Sequence, residues 1–309
     1  MATYCITGAR GFIGRHLART LAAEGHEVAG LGHGAWPDAS SDGVGHWING
    51  AIDSSNLSAL ADRTGGFDAT FHLAGGSAVG PSLAYPLEDF ERTVSTTARL
   101  LDWIRQSAPS SRLVAASSAA VYGDAGPDLV REDAPLAPAS PYGTHKVMLE
   151  AVVGSYRRHS GIDARIVRLF SVYGPGLEKQ LLYELCRRCA AAAPGTNLEL
   201  GGTGSERRDW LHVSDAVAIL LLAARVPALP DAINGGTGVA TPVAVIARGV
   251  CEAWDRALRP VFSGVIRAGD PANLVADINR ATAAGFRPRV AVEQGITDYV
   301  GWFRAARTQ

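Results

Sequence analysis

Thr7-Gly8-Ala9-Arg10-Gly11-Phe12-Ile13-Gly14 spaces its glycines G-x-x-G-x-x-G, between a β-prone run at 3–7 and an amphipathic run marked by Phe12, Ile13, Leu17 and Leu21. Gly25 stops the amphipathic run as a residue just past a helix end would, and 26–31 is again β-prone. Strand, glycine turn, helix and strand make a βαβ unit with parallel strands. In such a unit Gly8 permits the tight turn, Gly11 lets backbone approach a pyrophosphate, and Gly14 lets the helix pack against the sheet. Phe12 and Ile13 open the helix, whose free N–H groups and positive dipole end face the phosphates.

The end of the second strand bears on which dinucleotide fits. A carboxylate about 20 residues past the glycines commonly accepts from a ribose 2′-hydroxyl. Val28-Ala29-Gly30-Leu31-Gly32-His33-Gly34 has none. Arg10 sits inside the loop, where a guanidinium can bind a 2′-phosphate, and His33 stands at the strand end. The combination favours NADP(H) over NAD(H); the plainer reading of Arg10 is a solvated surface residue. Asp53, after Ile52, offers a carboxylate to an adenine edge or, equally, a cap to the next helix.

Strands and helices go on alternating: strands at 69–74, 112–117 and 163–169, helices at 89–106 and 141–159. That order predicts an α/β protein with a doubly wound parallel (Rossmann) sheet. Gly and Pro cluster after Tyr173, which puts a boundary there: a dinucleotide-binding domain over 1–173, to which segments near 211–236 return, and a smaller α/β substrate domain over 174–309. Composition excludes other classes. Of 309 residues 47% are apolar and 19% charged, so the chain is neither disordered nor a coiled coil. A net charge of −1 removes the electrostatic case for nucleic acid, and no apolar run is long enough for a membrane. No secretion signal and no disulfide framework are visible, so a soluble cytoplasmic location is expected. Cys186-Arg187-Arg188-Cys189 lies in a helical pattern without a second pair, and no metal is expected.

Tyr142 and Lys146 are four residues apart, hence on one helix face, about 5–6 Å apart at Cβ. A neighbouring ammonium favours phenolate and lowers the phenol's pKa, giving an acid/base usable near neutrality. Ser118 ends a buried strand at the carboxyl edge, where a hydroxyl can hold the substrate oxygen. Ser140-Pro141 opens the Tyr-bearing helix. His145 reads as a surface residue turned away from Tyr142, Trp103 and Trp302 as core or interface residues, and Arg157-Arg158-His159 as a solvated helix end.

Taken in order, Thr7–Gly14, His72-Leu73-Ala74-Gly75, Ser118-Ala119-Ala120-Val121-Tyr122-Gly123, Tyr142…Lys146, Arg168–Gly176 and Arg208-Asp209-Trp210-Leu211-His212-Val213-Ser214-Asp215 resemble the extended short-chain dehydrogenase/reductases. The nearest branch is that of NAD(P)-dependent nucleotide-sugar epimerases, dehydratases and 4-keto reductases. The resemblance implies Tyr142 as acid/base, Lys146 as ligand of the nicotinamide ribose, and Ser118 as the third member. It implies Ala74 and Gly75 along the cofactor cleft, and Ser171, Arg208 and Arg267 around a nucleotide-diphosphate sugar. It also implies a homodimer through a four-helix bundle, with Leu100, Trp103, Val147, Leu149, Val152 and Val153 as its apolar faces.

Three departures narrow the chemistry. Ala119 and Ala120 replace the Asp-Glu pair of the family's 4,6-dehydratases, and neither can move a proton. Thr93 and Ser171 stand where the family usually has Asn. No acid follows the second strand. The expectation is therefore an oxidoreductase acting at C4 of a nucleotide sugar, leaning to an NADPH-dependent 4-keto reductase for deoxy-sugar or polysaccharide precursors. The alternative is a 4-epimerase with tightly bound NAD, and a lesser one a dinucleotide-binding sensor without turnover.

Overall fold

The computed structural model describes residues 1–254, 257–265 and 271–307. Its strands are β1 (Thr3–Thr7), β2 (Glu27–Gly32), β3 (His46–Asn49), β4 (Ala69–His72), β5 (Arg112–Ser118), β6 (Ala164–Leu169), β7 (Ser171–Tyr173), β8 (Asn197–Leu200), β9 (Arg207–Arg208), β10 (Trp210–His212) and β11 (Ala232–Gly235), followed by Thr241–Pro242, Arg259–Phe262 and Asn273–Leu274. Seven of them form one parallel sheet in the order β11-β6-β5-β4-β1-β2-β3. The direction of winding reverses between β1 and β4, and a crevice for a ligand opens beyond the carboxyl ends of strands at such a reversal. The doubly wound sheet expected from the alternation is present.

Central strands are buried on both faces: every residue of β4 and β6 is buried, including the polar Thr70, His72, Arg165 and Arg168. Helices α1 (Phe12–Ala23) and α8 (Val213–Arg225) cover one face. Buried Gly14, Leu17, Ala18 and Leu21 follow the helical repeat on α1. The other face carries α2 (Ser54–Thr64), α5 (Thr96–Ser107) and α6 (Pro141–Ser160). Two short helices, α3 (Val79–Ala84) and α4 (Pro86–Phe90), lead into α5.

The helix expected over 89–106 is interrupted by a π-helical turn at Glu91–Ser95. The cause is local: the Thr97 hydroxyl donates to the Thr93 carbonyl (2.6 Å), while Thr93 Oγ1 accepts from Gly76 N (2.8 Å). Side-chain bonds of this kind open the regular ladder.

The smaller C-terminal domain packs α7 (Gln180–Ala191), α9 (Val243–Trp254) and, after the short α10 (Asn279–Ala283), α11 (Val292–Ala305) around Tyr173, Leu182, Leu185, Val250, Tyr299 and Phe303. Cys186 and Cys189 line the buried face of α7 as unpaired thiols, with Cys251 hydrogen-bonded to Cys189. Burial pushes the Cys186 thiol up to about 12, so it is inert packing. Among the described residues no three His, Cys, Asp or Glu converge to hold a metal, and no helix is long and apolar enough to cross a membrane. Trp103 is a core residue whose indole donates to Ser58 Oγ (3.0 Å), and Trp302 is half-buried in the C-terminal core. The helix end at 157–159 is only partly solvated: Arg157 pairs with Asp231, while Arg158 and His159 are exposed.

Candidate active site

The crevice begins at the glycine loop. Gly8 has φ +77°, and a Cβ there would lie 2.8 Å from the Ala74 backbone nitrogen. The loop after β1 thus touches the loop after β4, on either side of the winding reversal. A Cβ on Gly14 would lie 2.4 Å from the Gly8 carbonyl, so only glycine lets α1 start this close to the strand. Gly11 is the N-cap and offers no side-chain cap, which leaves the first N–H groups of α1, those of Phe12 and Ile13 included, free for an anion. The cradle fits a dinucleotide pyrophosphate. Gly8, Gly11, Phe12, Ile13 and Gly14 would hold it, with Ala74 and Gly75 alongside.

Arg10 arches over the end of β2. It is exposed, its guanidinium reaches the His33 carbonyl (3.5 Å), and it lies 2.2 Å from where a Gly34 Cβ would be. His33 is exposed beside it, and Gly34 N donates to Asn49 Oδ1 (2.8 Å). Asp53 makes the helix cap. Its Oδ1 accepts from Asn56 N (2.9 Å) and its Oδ2 from Asn56 Nδ2 (3.2 Å), while Ile52 is buried in the core.

The fold brings Ser118, Tyr142 and Lys146 together. Ser118 Oγ accepts from Ala120 N (3.2 Å) as the chain turns out of β5, and the Ser118 hydroxyl lies near enough to the Tyr142 phenol to pull its pKa down. A helix N-terminus must come very near this turn, and Gly143 is the reason it can: a Cβ there would sit 2.5 Å from the Ala120 carbonyl. Ser140 Oγ caps α6 by accepting from Gly143 N, and buried Ser82 accepts from Tyr142 N (3.0 Å). Lys146 is 5% exposed, and its Nζ donates to the Ala116 carbonyl (3.0 Å) and stands 5.9 Å from the Tyr142 ring centre.

The electrostatics differ from the expectation of a phenol acidified by its lysine. Burial pushes the Tyr142 phenol up, and only the Ser118 hydrogen bond pulls it back. Burial also lowers Lys146 to about 8, against the upward pull of Asp89 and then Glu150. Desolvation is the leading cause of both shifts; Lys146 is buried and Tyr142 half-buried.

Behind the triad lies a layer of buried polar groups. His72 bridges Thr7 Oγ1 (2.7 Å) and Thr97 Oγ1 (2.9 Å). Since the Thr97 hydroxyl donates elsewhere, it accepts from His72 Nε2–H, and Nδ1 accepts from Thr7. Burial holds this ring neutral, down to about 3. Arg168 binds Glu150 through Nε (3.0 Å) and Nη2 (2.7 Å), and Tyr122 through Nη1 (2.9 Å). Glu150 also accepts from Ser117 (2.5 Å) and Tyr122 donates to Asn234 (2.6 Å), which ties the strands and helix that carry Ser118 and Lys146.

Of the expected substrate ligands, Ser171 and Arg208 are half-buried on β7 and β9; Arg267 lies outside the described residues. Asp209, fully buried, accepts from Thr237 N, Gly238 N and Ala276 N, which fixes the loops beside Arg208. His145 corrects its expected surface position. It is 8% exposed, with Nδ1 2.5 Å from Asp89 Oδ2, because a residue three after Tyr142 shares its helix face. Lys179 was not foreseen: its Nζ donates to Ser77 Oγ (2.7 Å), joining the start of α7 to the loop after β4 across the cleft. Composition carried the signal, since Lys146 and Lys179 are the only lysines among 29 basic residues.

Residues 4–236 match the NAD dependent epimerase/dehydratase family. A UDP-glucose 4-epimerase of Mycolicibacterium smegmatis is 30% identical over 312 residues, covering 97% of each chain. Among solved structures, MoeE5 in complex with UDP-glucuronic acid and NAD is 32% identical with a TM-score of 0.86, over 98% of this chain and 99% of that one. TunA, an NAD-dependent NDP-hexosamine 5,6-dehydratase, is 30% identical with a TM-score of 0.84, over 98% of each.

Proposed function

Because the chain belongs to the NAD dependent epimerase/dehydratase family, we propose that it inverts C4 of a nucleotide-diphosphate sugar with NAD retained through the cycle. One juxtaposition carries the reading: the Ser118–Tyr142 pair and buried Lys146 stand at the crevice where the glycine cradle would hold a dinucleotide. NAD, when bound, would supply the hydride acceptor and donor that inversion at C4 needs. The Tyr142 phenolate takes the C4 hydroxyl proton as the ketone forms, and the phenol gives it back on reduction. Ser118 Oγ holds the same oxygen, and the Lys146 ammonium favours the phenolate that takes the proton. Arg208, with Lys179 at the mouth, suits the diphosphate. Ala119 and Ala120 leave no group beside Ser118 to expel water, which supports C4 chemistry over 4,6-elimination.

A second reading, an NADPH-dependent 4-keto reductase, is favoured by Arg10 over the end of β2 and by the missing acid there. One experiment separates them. The purified protein is expected to release NAD on denaturation and to interconvert UDP-glucose and UDP-galactose, or the matching uronates, with no added cofactor. Release of no dinucleotide, with NADPH consumed on a 4-keto sugar, overturns the epimerase. Products short of one water would point to elimination, the chemistry that TunA is named for.

A homodimer belongs to the same reading, on different residues from those first suggested. Leu100, Trp103, Leu149 and Val153 are buried against the chain's own core, and Val147 and Val152 half-buried. Val79, Leu83, Tyr85, Leu87 and Met148 are the exposed apolar side chains of α3, α4, the residue joining them, and α6. Sedimentation equilibrium is expected to give twice the chain mass, and Leu87→Glu with Met148→Glu to give the monomer; a parent that already sediments as a monomer rejects the dimer.

A further inference from the structure

Asp89 is 93% buried at the end of α4, an unusual place for a carboxylate unless its charge is used. Its Oδ2 accepts from His145 Nδ1–H (2.5 Å), since an ionised carboxylate can only accept. Phe90 packs edge-on against the His145 ring, 5.7 Å between centres. The other oxygen, Oδ1, presses on Gly76, where a Cβ would be only 1.8 Å away. The neighbouring Gly75 faces Lys146, whose Nζ is 3.6 Å from a Cβ built there, and Thr93 Oγ1 ties this loop to the π-helical turn. The carboxylate is therefore wedged between the loop after β4 and the helix that carries Tyr142 and Lys146.

Other charged or titratable groups around Lys146 are accounted for. From β4 comes His72, held neutral. From its own helix come Tyr142, His145 and Glu150. Glu150 is engaged by Arg168 of β6 and by Ser117 of β5. Among the described residues, Asp89 is left as the carboxylate with no arginine partner, and it stands near Lys146 across Gly75 and Gly76 without an ion-pair contact. It acts on Tyr142 as well as on Lys146.

We propose that Asp89, clamped by His145, is the counter-ion that keeps the Lys146 ammonium charged and in register with Tyr142. This is a positioning role, and it rests on the reading of Lys146 as part of the reacting site. The pair explains why a buried histidine follows Tyr142 at the third position and why two glycines follow Ala74.

The chain's two lysines allow a direct test. Protein labelled with carbon-13 at lysine Cε gives two signals, and Lys179→Arg identifies the one from Lys146. Asp89→Asn is expected to lower the Lys146 titration midpoint by about one pH unit. The alkaline limb of kcat moves down with it, because Lys146 must stay protonated, while KM for the nucleotide sugar is unchanged. His145→Leu, which frees the carboxylate, lowers the midpoint in the same direction, and His145→Gln, which keeps a donor, restores it. A folded Asp89→Asn protein whose Lys146 midpoint and alkaline limb both match the parent overturns the proposal. If that variant does not fold, His145→Leu against His145→Gln decides by the same signal. The titration needs no turnover, so a parent inactive on every nucleotide sugar would reject the epimerase while leaving this measurement to judge Asp89.

Discussion

Tyr142→Phe is expected to lower kcat by about 10²–10⁴-fold, the range that a positioned proton-transfer group contributes. The substitution removes one oxygen and keeps the ring, so helix α6, its Ser140 cap and the Lys146 position are left as they are. KM for the nucleotide sugar and the amount of NAD released on denaturation should therefore match the parent. The size of the loss follows from the surroundings. Burial raises the phenol, so the phenolate that takes the C4 proton depends on the Ser118 and Lys146 side chains beside it. Steady-state kinetics on the preferred sugar measure the effect; a variant within threefold of the parent would remove Tyr142 from the chemistry. Ser118→Ala should cost less, since its hydroxyl holds the oxygen but moves no proton in this account.

Arg168→Met should be the most damaging change away from the reacting atoms. Arg168 and Glu150 are both nearly fully buried, and the guanidinium makes bonds to Glu150, Tyr122 and the Glu132 carbonyl. Removing it leaves the Glu150 charge buried beside Ser117 with no cation in contact. Breaking a buried pair from one side costs about 3–5 kcal/mol. Replacing both, Arg168→Met with Glu150→Leu, removes the charge as well and should recover a good part of that loss. Urea unfolding of the three proteins tests this. A single substitution costing under about 1 kcal/mol, the range of an exposed pair, would mean that the network is wet and weak. The consequence for function is indirect but real, because Glu150 is one helical turn from Lys146 and Ser117 adjoins Ser118.

The sequence by itself determined the architecture and which side chains could meet at the candidate site. Both follow from short-range rules: the glycine spacing in Thr7–Gly14, the alternation of strand and helix patterns, and the four-residue offset of Tyr142 and Lys146 need only local backbone geometry. What lay beyond reach were properties set by residues distant in the chain. The spacing leaves His145 looking exposed because its partner Asp89 is 56 positions away, on another helix. The Tyr142–Lys146 pair was read as acidified because spacing gives the attraction between two charges and says nothing of how dry they are. Lys179 and Ser77 meet only when the C-terminal domain packs over the sheet. Local pattern fixes which groups can face one another along an element; burial, and with it the balance between desolvation and pairing, is decided by how the elements pack.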